Sequence, residues 1–318
     1  MKAFVLNTNN GMGNLIVEEV PFPVIQPNEV LIKVKAIGIN PVDPYVSKNE
    51  EALKLFVKPL PDQSSFILGW DVSGTVVEAG PEVKNFKKGD DVFGLVNFPG
   101  QGKTSAEFVA APENHLALKP VNISHEEAAA ATLAGLTAWQ ALINYGKINR
   151  NEKVLIHAAA GGVGHYAVQI AKHIGAFVIA TASPSKIQFV KDLGADVVID
   201  YTTEKFEEVV KDADVVLDAI FGDHLLRSID AVKRGGRVIS LLTYFEGDIA
   251  AKAKAKDIFG HRFLVVSNGA DMMTIARLLA SGELVSHVSR TYSFSDLPEA
   301  YSEVGTGKTK GKIVVTLP

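Results

Sequence analysis

The chain has 318 residues, 47% hydrophobic and 21% charged, with a formal net charge of −4. This describes a globular protein long enough for two domains and gives no basis for nucleic acid or an anionic membrane as partner. The absence of cysteine excludes disulfides, thiolate metal sites and cysteine nucleophiles, and fits a reducing cytoplasm.

In chain order, the first 120 residues are strand-rich. Strands are expected at Ala3 to Leu6, Leu15 to Glu19, Glu29 to Ile39, Asp71 to Ala79, Asp91 to Leu95 and Ala106 to Ala111. Pro21, Pro23, Pro27, Gly80-Pro81 and Gly89-Asp90 separate them. From about Ser124 the character changes. A helix is predicted over Glu126 to Tyr145; its small-apolar stretch is interrupted by Thr132, Gly135, Thr137 and Gln140 and reads as buried rather than membrane-spanning. Six short apolar strands then alternate with helices: Val154 to Ala158, Phe177 to Thr181, Val197 to Asp200, Asp214 to Ala219, Arg237 to Leu242 and Phe263 to Ser267. This pattern predicts an α/β doubly wound parallel sheet of the Rossmann type. The tail regains strand character at Lys312 to Thr316 and is expected to rejoin the first domain. The expected division is therefore a discontinuous domain of residues 1–123 and 284–318 and a nucleotide domain of residues 124–283, with a ligand in the cleft between them.

The segment Ala159-Ala160-Gly161-Gly162-Val163-Gly164 has the spacing of a dinucleotide-binding turn, with alanine in the first glycine slot. Nearly absent side chains let the backbone approach a pyrophosphate. The helix that follows aims free N–H groups and its positive dipole end at the phosphates. About 20 residues on, where an NAD-type site has a carboxylate, the chain reads Ser183-Pro184-Ser185-Lys186. A hydroxyl and an ammonium suit a 2′-phosphate, and Tyr201 can add its hydroxyl, so the expected cofactor is NADPH. Taken singly, Ser183 also reads as a helix cap and Lys186 as a surface lysine.

The motifs GINPVDPY (38–45), LGWDVSGTVVEAG (68–80), LAGLTAWQAL (133–142), HAAAGGVG (157–164), LGADVVIDY (193–201) and GKIVV (311–315) together resemble the zinc-independent quinone oxidoreductase branch of the medium-chain dehydrogenase/reductase family. The resemblance spans essentially the whole chain. It implies a GroES-like β-rich barrel domain joined to the Rossmann domain, and assembly as a homodimer. Where zinc-dependent relatives have their first cysteine ligand this chain has Asn40, and where they have glycine-histidine-glutamate it has Gly69-Trp70-Asp71, so no metal is expected.

The implied activity is hydride transfer from NADPH to a quinone or an α,β-unsaturated carbonyl. An enoyl-thioester reductase and a catalytically idle NADPH-binding or redox-sensing protein are the alternatives. Asn40, Asp43 and Tyr45 are the candidate catalytic residues: Asn40 to hold a carbonyl, Tyr45 to donate a hydrogen bond or proton, Asp43 to orient the loop. Turn formation is their competing reading. Thr137, Leu242 and Asn268 join Ala160, Gly161, Gly162, Val163, Gly164, Ser183, Lys186 and Tyr201 as candidate cofactor contacts. His157 and His165 read as local packing residues, Met272-Met273 as core, and Lys252, Lys254 and Lys256 as a solvated face or mobile flap.

Overall fold

Four consecutive buried residues, Ala3 to Leu6, make the first strand of the computed structural model, which describes all 318 residues. β1 (Lys2–Asn7) pairs with β2 (Leu15–Glu19), and β3 (Glu29–Ile39) is the long central strand. Two short helices follow, α1 (Val42–Lys48) and α2 (Glu50–Phe56). Then come β4 (Ser65–Ile67), β5 (Asp71–Ala79), β6 (Asp91–Leu95), β7 (Phe108–Pro112) and β8 (Leu116–Leu118).

The expected helix over 126–145 is broken into α3 (His125–Ala130), α4 (Leu133–Trp139) and a π-helical turn, Gln140–Tyr145. Ser124 and Glu127 form a capping box at the start of α3. The break after α3 is marked by Thr132, whose hydroxyl bonds back to Ala129 O at 3.0 Å, and by Leu133 N, which turns to the Asp71 carboxylate.

The parallel sheet consists of β9 (Lys153–Ile156), β10 (Phe177–Ala182), β11 (Val197–Asp200), β12 (Ala213–Asp218), β13 (Val232–Ser240) and β14 (Phe259–Arg262). Between and after them lie α5 (Gly162–Ile174), α6 (Ile187–Asp192), α7 (Phe206–Val209), α8 (His224–Ala231), α9 (Gly247–Ala255) and α10 (Gly269–Ser281). The chain closes with β15 (Val288–Ser293), α11 (Leu297–Gly305) and β16 (Lys312–Thr316).

These elements form two units, residues 1–136 with 265–318 and residues 137–264. Residues 124–136 and 265–283, which the sequence pattern groups with the nucleotide domain, thus fall in the first unit. The reason is packing: α3 lies on β3, β5 and β16, and α10 on β8. In the first unit the sheet order is β15-β16-β3-β5-β6-β8, with β7 also on β3, beside a three-stranded sheet β2-β1-β4. Val30, Ile32, Val34, Val72, Val76, Ile313 and Val315 fill its core with Leu297 of α11, each contributing about 1.5–3 kcal/mol by burial.

In the second unit all six strands are parallel, in the order β11-β10-β9-β12-β13-β14. The connection reverses direction between β9 and β12, which makes that gap the switch point of the sheet. The sixth strand is Phe259–Arg262, not the more apolar 263–267. As an edge strand it needs no apolar residues on both faces. Phe263 and Val265 are buried beyond its end, with Phe263 N bonded to Ser240 O. Strand β9 also stops at Ile156, two residues earlier than expected, because Ala158 turns left-handed (φ 50°).

Candidate functional site

The glycine turn sits at the switch point. Ala159 N bonds to Thr181 O at 3.1 Å, and Gly161 N to Ala158 O at 2.9 Å, closing the turn before α5 begins at Gly162. Gly161 caps α5 with no side-chain bond, so the first N–H groups of a 13-residue helix are left for an anion. A Cβ on Gly164 would stand 2.3 Å from Ala158 O and 2.6 Å from Ala159 Cα, so only glycine lets the helix pack this close to the turn. Ala160 is buried, while Gly161, Gly162 and Val163 are half-buried along the turn. The residues fit a dinucleotide pyrophosphate.

Parallel pairing of β10 with β11 sets Ala182 opposite Asp200. The next residues on each strand, Ser183 and Tyr201, therefore lie side by side, and Tyr201 N contacts Ala182 O. Ser183 and Lys186 are half-buried and Tyr201 is 56% exposed, so a hydroxyl, an ammonium and a phenol border one strand-end corner. Asp200 is nearby, yet its Oδ1 accepts from Thr202 N and Oγ1 at 2.9 and 2.7 Å. Those bonds hold its carboxyl below the usual range and commit it to its own turn.

Beneath the glycine turn is a polar chain that no local sequence pattern announces. His157 Nδ1 lies 3.2 Å from Thr181 Oγ1, and its Nε2 lies 3.2 Å from Ser228 Oγ. Ser228 donates to Asp218 Oδ2 at 2.6 Å; Asp218 also accepts from Ile220 N at 2.8 Å and faces His224 Nδ1 at 3.0 Å. Burial pushes the His157 pKa down to about 3, so the ring is neutral. Because the Ser228 proton goes to Asp218, His157 donates from Nε2 and accepts at Nδ1. The chain ties the ends of β9, β10 and β12 to α8. His157, Asp218 and His224 bring ligand-type atoms within 4.8 Å of one another, and each of the three takes part in these hydrogen bonds. His165 bonds locally, its Nδ1 3.0 Å from Gly161 O.

The loops after β12 and β13 are joined by Gly222 N to Thr243 Oγ1 at 3.1 Å, with Leu242 exposed between. Thr137 is buried on α4. Asn268 belongs to the first unit, where its Oδ1 accepts from Asp271 N as the cap of α10. Lys252 and Lys256 are half-buried, with their ammonium groups tied to α8 rather than free in solvent. Lys252 bonds Leu226 O and the Asp230 carboxylate on α8, and Lys256 bonds Ile229 O and Asp230 O in its last turn; only Lys254 is exposed. Of the methionine pair, Met272 is core and Met273 is 55% exposed.

In the first unit, Asn40 and Asp43 are buried and Tyr45, on α1, is 55% exposed. Asn40 N donates to Asp43 Oδ2 at 2.7 Å. The Asn40 amide is engaged at both ends: Nδ2 donates to Asp71 Oδ2 at 2.8 Å, and Oδ1 accepts from Lys312 Nζ. Of the trio, then, only the Tyr45 side chain faces outward. Burial pushes the Asp43 pKa up to about 7, the Asn40 N–H opposing and the Asp71 charge adding to the rise. Burial likewise raises Asp71, against the pull of Lys312. A Cβ on Gly38 would lie 2.5 Å from Asp71 Oδ2, so glycine there makes room for this carboxylate.

Zinc does not fit this position. Of Asn40, Trp70 and Asp71 only Asp71 is a carboxylate, and it is already bonded by Asn40, Leu133 N and Lys312. Trp70 Nε1 donates to Gly100 O at 2.7 Å. A separate cleft of about 900 Å³, bordered by Val20, Phe98, Phe108, His115 and Val266, includes none of Asn40, Asp43 or Tyr45.

Residues 26–121 match a family model described as the alcohol dehydrogenase GroES-like domain, and residues 193–315 one described as zinc-binding dehydrogenase. The chain is 36% identical over 305 residues to a 2-methylene-furan-3-one reductase of Solanum lycopersicum, covering 93% of this chain and 74% of the relative. It is 35% identical over 325 residues to the chloroplastic NADPH-dependent alkenal/one oxidoreductase of Arabidopsis thaliana, covering 99% and 79%. The structure of the quinone oxidoreductase from Coxiella burnetii matches with a TM-score of 0.90 at 35% identity, over 100% of this chain and 99% of that one. No helix is long and apolar enough to cross a membrane.

Proposed function

This chain belongs to the zinc-independent quinone oxidoreductase branch of the medium-chain dehydrogenase/reductase family, and from that premise we propose that it reduces quinones or α,β-unsaturated carbonyls with NADPH. The observation that carries the cofactor assignment is the strand-end corner of Ser183, Lys186 and Tyr201, beside a glycine turn and an uncapped helix start. The turn and the first N–H groups of α5 hold the pyrophosphate, and the corner holds the 2′-phosphate. NADPH supplies the hydride. The protein excludes water, orients the acceptor and, at Tyr45, offers a hydrogen bond to the oxygen on which charge develops.

The names of the relatives support an acceptor already polarised by conjugation, which needs no metal to draw in a hydride. Assembly as a homodimer is supported by β14, an unpaired sheet edge bearing the exposed Phe259 and the stacked pair Tyr145–His261. The lack of cysteine supports a reducing compartment such as the cytoplasm.

The test is NADPH oxidation, followed at 340 nm, with 1,4-benzoquinone, 9,10-phenanthrenequinone, a 2-alkenal and an enoyl thioester, each repeated with NADH and with a chelator. The expected result is turnover of quinone or alkenal that prefers NADPH and ignores chelator. Turnover of the thioester alone, or tight NADPH binding with no turnover, overturns the reading.

A further inference from the structure

We propose that Lys312, at the start of the last strand, is the positioning residue that fixes the Asn40–Tyr45 loop. β16 pairs with the end of β3, Ile313 opposite Ile39, which brings a residue 272 positions away onto the loop. The Lys312 side chain is only 3% exposed. Its ammonium donates to Ile39 O at 2.8 Å and to Asn40 Oδ1, and it faces Asp71 Oδ2 at 3.5 Å. An ammonium has three donors and no acceptor, so this one is fully used.

Two consequences follow. First, a donor-only group beside the Asn40 amide fixes which end is oxygen, so Nδ2 is held on Asp71 and the side chain cannot flip. Second, the order passes along the backbone. Asn40 N holds Asp43 Oδ2, Asp43 lies in the first turn of α1, and Tyr45 lies two residues on. A buried ammonium is tolerated only when paired and hydrogen-bonded, and here Asp71 and Asp43 oppose the burial that would neutralise it. Replacing it with an apolar side chain leaves Ile39 O and Asn40 Oδ1 without donors, frees the amide to turn, and strips Asp71 of its countercharge. Lys312 has almost no exposed surface, so it acts through Asn40 rather than on a substrate.

The catalytic consequence rests on the reductase reading above. The experiment compares the full-length protein with Lys312→Met and with Lys312→Met/Asp71→Asn, in which charge balance is restored. Four quantities are read: kcat with 9,10-phenanthrenequinone, Kd for NADPH, Tm, and hydrogen exchange of the Asn40–Tyr45 amides. Lys312→Met is expected to lower kcat at least tenfold and speed exchange across the loop, with NADPH Kd within twofold of wild type. The double variant is expected to regain Tm while kcat stays low and exchange stays fast. A kcat for Lys312→Met within twofold of wild type overturns the proposal. So does a double variant whose kcat returns with its Tm, since that reduces Lys312 to charge compensation. If the wild type turns over no acceptor, it is the reductase reading that fails. Exchange then decides for Lys312: faster loop exchange in the Met variant supports the anchoring and unchanged exchange overturns it.

Discussion

Each unit carries one buried polar network behind its candidate functional loop, and the two are built on opposite electrostatic plans. Behind the glycine turn, Thr181, the neutral imidazole of His157 and Ser228 form a chain that ends on a single carboxylate, Asp218, which His224 also faces. Behind the Asn40 loop, two carboxylates and one ammonium are buried together: Asp43, Asp71 and Lys312. The first network resembles a chain of oriented dipoles, which fixes strand ends without concentrating charge. The second holds its loop by ion pairing, which is rigid only while the charges balance. The two units are therefore sensitive in different ways: the second to loss of a hydrogen-bond partner or to acid, the first to any change of charge.

The largest effect is expected where the dipolar network meets its one charge. Asp218→Ala leaves Ser228, His224 and Ile220 N without their acceptor and is expected to cost about 3–5 kcal/mol in urea unfolding. It is also expected to weaken NADPH binding at least tenfold, because the chain anchors the end of β9 at the glycine turn. Unchanged NADPH affinity in a folded Asp218→Ala protein would separate the network from the turn and break the comparison.

The two plans also predict opposite pH slopes. Asp43, surrounded by Asp71, Lys312 and Tyr301, has a folded pKa of about 7 against an ordinary value near 3.8. The folded state therefore keeps a proton that the unfolded chain has lost, and stability falls as pH rises from 4 to 7. The slope is about 1.4 kcal/mol per pH unit, roughly 4 kcal/mol in all. Asp43→Asn keeps the acceptor for Asn40 N and removes the titration. Its advantage over wild type in urea midpoints should widen from pH 5 to pH 8; a constant difference would contradict the raised pKa. For His157, with its folded pKa near 3 and an ordinary value near 6.5, stability is lost as pH falls below 6.5. His157→Gln should flatten that acid limb and leave the alkaline side unchanged; an acid limb as steep as that of wild type would show that His157 is not its source.

The smallest effect expected is at the phosphate corner. Lys186→Ala is expected to weaken NADPH by roughly 1.5–3 kcal/mol, one to two decades, while NADH changes little. Equal losses for both cofactors, measured by fluorescence titration, would remove Lys186 from the 2′-phosphate site.

Much of this arrangement is legible from the residues alone, for identifiable reasons. The strands Glu29–Ile39, Asp71–Ala79 and Asp91–Leu95 lie where apolar runs between breakers set them, and the glycine turn and helix α5 follow from spacing and small side chains. α1 is hidden because Asn40-Pro41 and Asp43-Pro44 read as turns. Pro44 is tolerated in its first turn, where no intrahelical donor is required. The polar networks are hidden for a different reason. Lys312 meets Asn40, and Ser228 meets His157, only through strand pairing and helix packing, and no periodic pattern along the chain encodes those meetings. Asn40 and Asp43 stand out as motif residues, yet both are buried, and the partner of the Asn40 amide oxygen, Lys312, comes from the distant strand β16.

The most direct test of hydride transfer from the nicotinamide to an activated acceptor is isotopic. The protein is incubated with NADPH carrying two deuterium atoms at C4 and a 2-alkenal, and the product is analysed by mass spectrometry. Direct hydride transfer yields a saturated aldehyde with one deuterium on the former β-carbon. A reduced product without deuterium, or label recovered only in solvent, would contradict it.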